Sequence, residues 1–143
     1  MNVVESRLKL LPMWIKVIGW IFIVLGVVSS LAIITKVIGI EAEFSLEIFG
    51  LIYDGSQSNA LFSLVTGLYL FFSISAYGLV RGKNWGLSAC IVNGYIGIVV
   101  CLFVTISSFS SEYINLRLEP IIQVIYLWKL HKIKDQWSTQ TET

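Results

Sequence analysis

Asn115, Glu119 and Gln123 are spaced four residues apart, and Tyr126 follows three residues later. On a helix these four side chains form one polar stripe. A carboxyl group among amides could carry a proton, hold a cation or bind a polar substrate, provided that the stripe is buried. An ionisable group inside a membrane costs about 2.5–3.5 kcal/mol or more and is a functional candidate by default. At about 1.5 Å per helical residue, Glu119 lies roughly 15 Å from Lys129, Gln123 roughly 9 Å from Lys129, and Asn93 roughly 12 Å from Trp85. If Lys129 and Trp85 mark one surface, the amides of Asn93 and Gln123 come within reach of an interhelical hydrogen bond. Pro120 argues for a different place for Glu119. Proline suits the first turn of a helix and holds its predecessor in an extended conformation, which leaves Glu119 hydrated at an interface.

Other reactive side chains are few. Cys90 and Cys101 are eleven residues apart in one apolar stretch. On a helix that is about 16 Å, too far for a disulfide, so they read as small packing residues. His131 stands alone in the basic stretch "KLHKIKD". No cysteine, histidine or carboxylate cluster has the spacing of a metal site or a nucleophilic centre. The expectation is a chain without enzymatic activity and without a cofactor.

The elements that must position these residues follow from composition. Of 143 residues, 56% are hydrophobic and 13% charged, with a mean hydropathy of +0.80. A water-soluble domain of this size needs more polar surface than that. Three blocks carry no ionisable residue: Val17 to Thr35, Ala60 to Val80 and Trp85 to Ser107. About 20 apolar residues cross a hydrocarbon core of about 30 Å, so each block reads as a membrane span. Ser30-Leu31-Ala32 resembles a signal-peptidase site, but the apolar run continues past it, and the first block reads as a retained anchor. Leu118 to Leu130 gives a shorter fourth segment that runs on into the basic tail. The resulting expectation is an all-α, integral membrane four-helix bundle in a single domain, 1–143. Its helices fall near 14–36, 60–80, 85–107 and 114–134, with an outer loop 37–59, a cytoplasmic turn 81–84 and a C-terminal tail 135–143.

Charge sets the orientation. With four spans, Arg7, Lys9, Lys16, Arg81, Lys83, Lys129, Lys132 and Lys134 share one side, leaving Lys36 and Arg117 near the other. Cytoplasmic loops collect lysine and arginine, so both termini are expected in the cytoplasm, and the sparse loops fit a bacterial inner membrane. Within "RGKN", Gly82 and Asn84 suit a tight turn, Arg81 and Lys83 hold it on the inner side, and Trp85 joins Trp14, Trp128 and Trp137 in an interfacial belt. The loop from 37 to 59 mixes acids with Phe44, Leu46, Ile48 and Phe49; it reads as an amphipathic element or a short hairpin over the outer end, with a face open to a partner.

Small residues at intervals of four (Gly86, Cys90 and Gly94, continued by Gly97 and Cys101; Gly26 and Ser30; Ser63 and Gly67) suggest close helix packing. A weak internal echo links "VIGWIFIV" and "VNGYIGIV". A net charge of +1 gives no nucleic-acid footprint. The expected partners are the lipid bilayer and another membrane protein or a second copy of the chain. The expected role is a non-enzymatic accessory, assembly or immunity-type protein, the alternative being a small oligomeric transporter or channel using Glu119, Gln123 and Asn93.

Overall fold

The structure, a computed structural model, describes residues 3–39, 45–53, 59–108 and 119–139. Its elements are α1 (Val3–Leu10), α2 (Met13–Ile38), β1 (Leu46–Ile48), β2 (Leu51–Tyr53), α3 (Asn59–Val80), α4 (Asn84–Ser108) and α5 (Glu119–Thr139). The described residues are 87% helical, so the class is all-α with one small hairpin. Three helices are long and apolar enough to cross a membrane: Met13–Ile38, Asn59–Val80 and the stretch from Asn84 to Ser107.

Pro12 separates α1 from α2. It disfavours helical geometry at Leu11, and its carbonyl accepts the first bonds of α2, from the amides of Ile15 and Lys16. α1 lies outside the first expected helix, and its short polar sequence carries no hydropathy signal. α2, α3, α4 and α5 then pack in chain order, each against the next, while α2 and α5 approach each other far less.

Small side chains set how closely they pack. A Cβ on Gly19 would lie 2.8 Å from a Val80 methyl, and one on Gly26 would overlap Ser73. Ser29, fully buried, donates to the Thr66 carbonyl at 3.5 Å. Between α3 and α4 the approach is closest at Gly86, where an added Cβ would strike the backbone of Gly78 and Leu79. Gly94 receives Leu127 of α5, and Gly97 receives the Gln123 side chain. Ser63 and Gly67, expected to form a packing face, are exposed instead, and a Cβ at Gly67 meets nothing within 4 Å. Spacing alone does not distinguish the two faces of α3.

The expected loop over the outer end contains an antiparallel hairpin, with Leu46 opposite Tyr53, Glu47 opposite Ile52 and Ile48 opposite Leu51. Ile48 is buried against Val65, Tyr69 and Phe72, with Phe22 and Leu25 of α2 alongside. The Tyr69 hydroxyl donates to the Glu47 carbonyl. Lys36, at the end of α2, donates to the Tyr53 hydroxyl at 3.1 Å and sits 4.1 Å above the Phe62 ring.

At the opposite end, α5 continues to Thr139, so the tail expected from 135 is helical as far as 139. Leu127, Leu130, Ile133 and Trp137 recur every three or four residues and pack on Leu11, Ile15, Leu79, Leu87, Cys90 and Ile91. This apolar stripe, interrupted in sequence by lysines, keeps the helix going. Trp137, expected in the interfacial belt, is buried in this cluster; Trp14, Trp85 and Trp128 are exposed.

The two glycine environments give opposite outcomes. Gly86→Ala should destabilise the detergent-solubilised protein by about 1–3 kcal/mol through overpacking, because backbone rather than a side chain must yield. Gly67→Ala should leave the thermal midpoint unchanged or raised.

Candidate functional site

Between α2 and α5 lies a half-open cavity of about 240 Å³, lined by residues of all four long helices. Its wall is mainly apolar, from Ile18 and Phe22 of α2, Phe72 and Ala76 of α3, and Ile122 of α5. Gly19 and Gly94 thin it from either side, and the hairpin contributes Phe49 to its lining.

Phe49 reaches this position at a conformational cost. The two-residue turn Phe49-Gly50 has φ of 49° and 85°, the pattern of a hairpin turn that needs both central residues left-handed. Glycine adopts this readily; a bulky side chain does so at about 1–3 kcal/mol. The contacts of the ring hold it there, 5.2 Å centroid to centroid from Phe72, which in turn lies 5.4 Å from Phe22.

Three polar side chains of the expected stripe and its partner helix line this apolar space. Asn93 of α4 is only 3% exposed, and its carbonyl oxygen has no hydrogen-bond partner. The Gln123 carbonyl oxygen is likewise buried and unpartnered. Tyr126 lies beside Cys90, close enough for hydroxyl and thiol to interact. No hydrogen bond joins Asn93 to Gln123. The geometry explains why: Gln123 packs on Gly97 and Leu127 on Gly94, which sets Gln123 about a helical turn beyond Asn93 along α4. Lys129 and Trp85 do not lie at one level, because α5 continues well past Lys129 beside the start of α4. Glu119 opens α5, one turn before Gln123, but its side chain, like Asn115 and Arg117, lies outside the described residues.

A second polar arrangement, which sequence reasoning missed, sits at the far end of the bundle. Arg7 of α1 is 5% exposed. Its guanidinium donates to the Gly82 carbonyl at 3.2 Å and to the Asn84 side-chain oxygen at 3.4 Å, and it lies 5.6 Å from the Trp137 ring centroid. It ties together α1, the α3–α4 turn and the end of α5. The turn is tight because Gly82 is left-handed, at φ 64°, with Val4 packed on it at distances that leave little room for a side chain. Arg81 folds back over the Tyr77 ring at 5.3 Å, Lys83 is exposed, and the Trp85 ring covers Gly78. The local signals for this clasp were the helical recurrence from Leu127 to Trp137 and a lone arginine in an otherwise amphipathic octamer.

His131 belongs to α5, not to a tail. Its Nδ1 lies 3.0 Å from the Leu127 carbonyl, to which it donates, and its Nε2 lies 3.5 Å from the Tyr95 hydroxyl. Among the described residues no group of three or more histidines, cysteines or carboxylates could hold a metal ion. No protein-family model, curated protein or solved structure matches the chain.

The unpartnered Gln123 amide carries a testable cost. Gln123→Leu keeps the bulk and removes the orphaned oxygen, so stability in detergent should rise by about 1 kcal/mol. A fall of that size in thermal or denaturant unfolding would mean that the amide is bonded in the working protein.

Proposed function

We propose that the chain is a multi-pass protein of the cytoplasmic membrane with four spans and both termini inside, acting without enzymatic chemistry as an accessory, assembly or immunity-type protein. The observation that carries the topology is the Arg7 clasp. It gathers the N-terminal helix, the α3–α4 turn and the C-terminal end of α5 at one end of the bundle, together with Lys9, Lys16, Arg81, Lys83, Lys132 and Lys134. The positive-inside tendency then supports a cytoplasmic setting for that end. Residues 120–128 give only about 14 Å of apolar helix, less than half of a hydrocarbon core about 30 Å thick, so the fourth span takes in the whole expected stretch 114–134, with the lysines of its second half reaching to the inner side.

The action we assign is binding through the outer end. Glu47 and Ile52 are paired across the hairpin and both face away from the bundle, whereas Ile48 and Tyr53 are buried beneath them. A surface of mixed acidic and apolar character, held in place by Tyr69 and Lys36, is suited to contact with the outer portion of another membrane protein. A second reading, an oligomeric transporter or channel using Glu119, Gln123 and Asn93, draws support from the cavity. Along α4 the cavity residues Asn93 and Gly94 stand about 12 and 14 Å from Trp85, near the middle of a hydrocarbon core about 30 Å thick.

Two measurements test these readings. In intact cells an impermeant maleimide should label Ile52→Cys, while Lys83→Cys should react only after permeabilisation; the reverse pattern would sink the topology. In mild-detergent purification a partner should accompany the wild-type chain and be lost from Glu47→Lys. Flux through proteoliposomes that Glu119→Gln changes would instead establish the transporter reading.

A further inference from the structure

The cavity combines features that a simple packing defect does not. It is walled by aromatic and aliphatic side chains, and one of its polar residues, Asn93, is 3% exposed with its carbonyl oxygen unpartnered. Gln123, whose buried side-chain oxygen is also unpartnered, is a second polar residue of the lining. Buried amides ordinarily find hydrogen bonds, and each exception in a folded protein calls for a reason. Two orphaned amide oxygens on neighbouring helices around one void have an economical reason in a ligand that supplies the missing bond.

Size and chemistry narrow that ligand. A dry apolar void of about 150 Å³ takes up benzene; this one, at about 240 Å³, is large enough for a bicyclic molecule. Phe22, Phe49, Phe72 and Tyr126 suit an aromatic or ring-shaped body. A hydroxyl can donate to an amide oxygen and accept from an amide nitrogen, so it satisfies Asn93 in either orientation of the side chain. A carboxylate or ammonium would bring a charge that no described residue of the wall balances. The left-handed Phe49 fits the same purpose, because its strained backbone places an aromatic ring in the cavity lining.

We propose that the half-open cavity between α2 and α5 is a binding site for a small neutral lipophile carrying one hydroxyl group, such as a bicyclic phenol or alcohol, anchored on the unpartnered amide of Asn93, with Gln123 beside it, and packed against Phe49. The site depends on the four-helix arrangement and not on which end faces the cytoplasm, so it stands or falls separately from the topology proposed above.

The test uses the full chain in mild detergent, with equilibrium dialysis against empty micelles to subtract partitioning. The probes are 2-naphthol and 2-methylnaphthalene, which differ in whether a hydroxyl or a methyl group is present. Wild-type protein should take up 2-naphthol saturably, about ten-fold more tightly than 2-methylnaphthalene, the worth of one buried hydrogen bond. Asn93→Leu should erase that preference by weakening 2-naphthol alone. If Asn93→Leu does not fold, Gln123→Leu makes the same comparison. Uptake no different from empty micelles overturns the proposal, as does equal affinity of the wild type for both probes. So does a folded Asn93→Leu or Gln123→Leu variant that loses both probes alike. Ala76→Phe, which fills the void from α3, should abolish uptake of both probes with helicity retained, and undiminished binding there would place the probes elsewhere and reject the site.

Discussion

Backbone contact between α3 and α4 at Gly78 and Gly86 is the constraint from which the rest of the molecule follows. Two helices that touch main chain to main chain need a very short connection, and Arg81 to Lys83 supplies it, with Gly82 in the left-handed region. That turn presents the Gly82 carbonyl and the Asn84 side chain to Arg7. Arg7 in turn packs on Trp137, which fixes the far end of α5. In a lipid environment helices gain no hydrophobic drive towards one another, so close approach and buried polar ties have to hold them. The bundle uses both, glycine contacts along its length and an arginine at one end.

The sequence discloses the three long apolar helices almost to the residue, because continuous hydropathy is a strong signal and Gly82 and Asn84 mark the turn. It discloses the value of Gly26, Gly86, Gly94 and Gly97, though not the outward position of Ser63 and Gly67, since a glycine spacing looks the same on either face. The later course of α5 was hidden by its lysines. Averaged hydropathy drops after Trp128, while the period of Leu127, Leu130, Ile133 and Trp137 persists. The hairpin was legible only as an option: Phe49-Gly50 between two alternating triplets is a turn pattern, but a phenylalanine in the left-handed region is not one that propensity favours. Asn93, Gln123 and Tyr126 were read as polar residues of interest, and the structure gathers them at one cavity. Their depths could not be aligned from sequence because two presumed boundary residues, Trp85 and Lys129, sit at different heights.

Most of this fold obeys local rules, and several of its departures lie close together. Phe49 is strained, two amides are unpartnered, and the helices leave a void instead of interdigitating, all within the same small volume. Natural sequences are consistent across levels except where another demand competes. Ser29, Thr66 and Ser75 in the bundle core are bonded to backbone carbonyls, in contrast with Asn93; at the far end the buried Trp137 indole nitrogen is also without a hydrogen-bond partner.

The hairpin has a further consequence as a piece of β-sheet. Opposed residues in an antiparallel pair alternate between bonded and unbonded positions. With Ile48 and Leu51 flanking the turn as a bonded pair, the main-chain groups of Glu47 and Ile52 point outward from the ribbon. On the Glu47 side that carbonyl is taken by the hydroxyl of Tyr69, so the rim nearest α3 is capped and cannot template another strand. The acceptor that a foreign strand would need on that rim is thereby already engaged within the molecule.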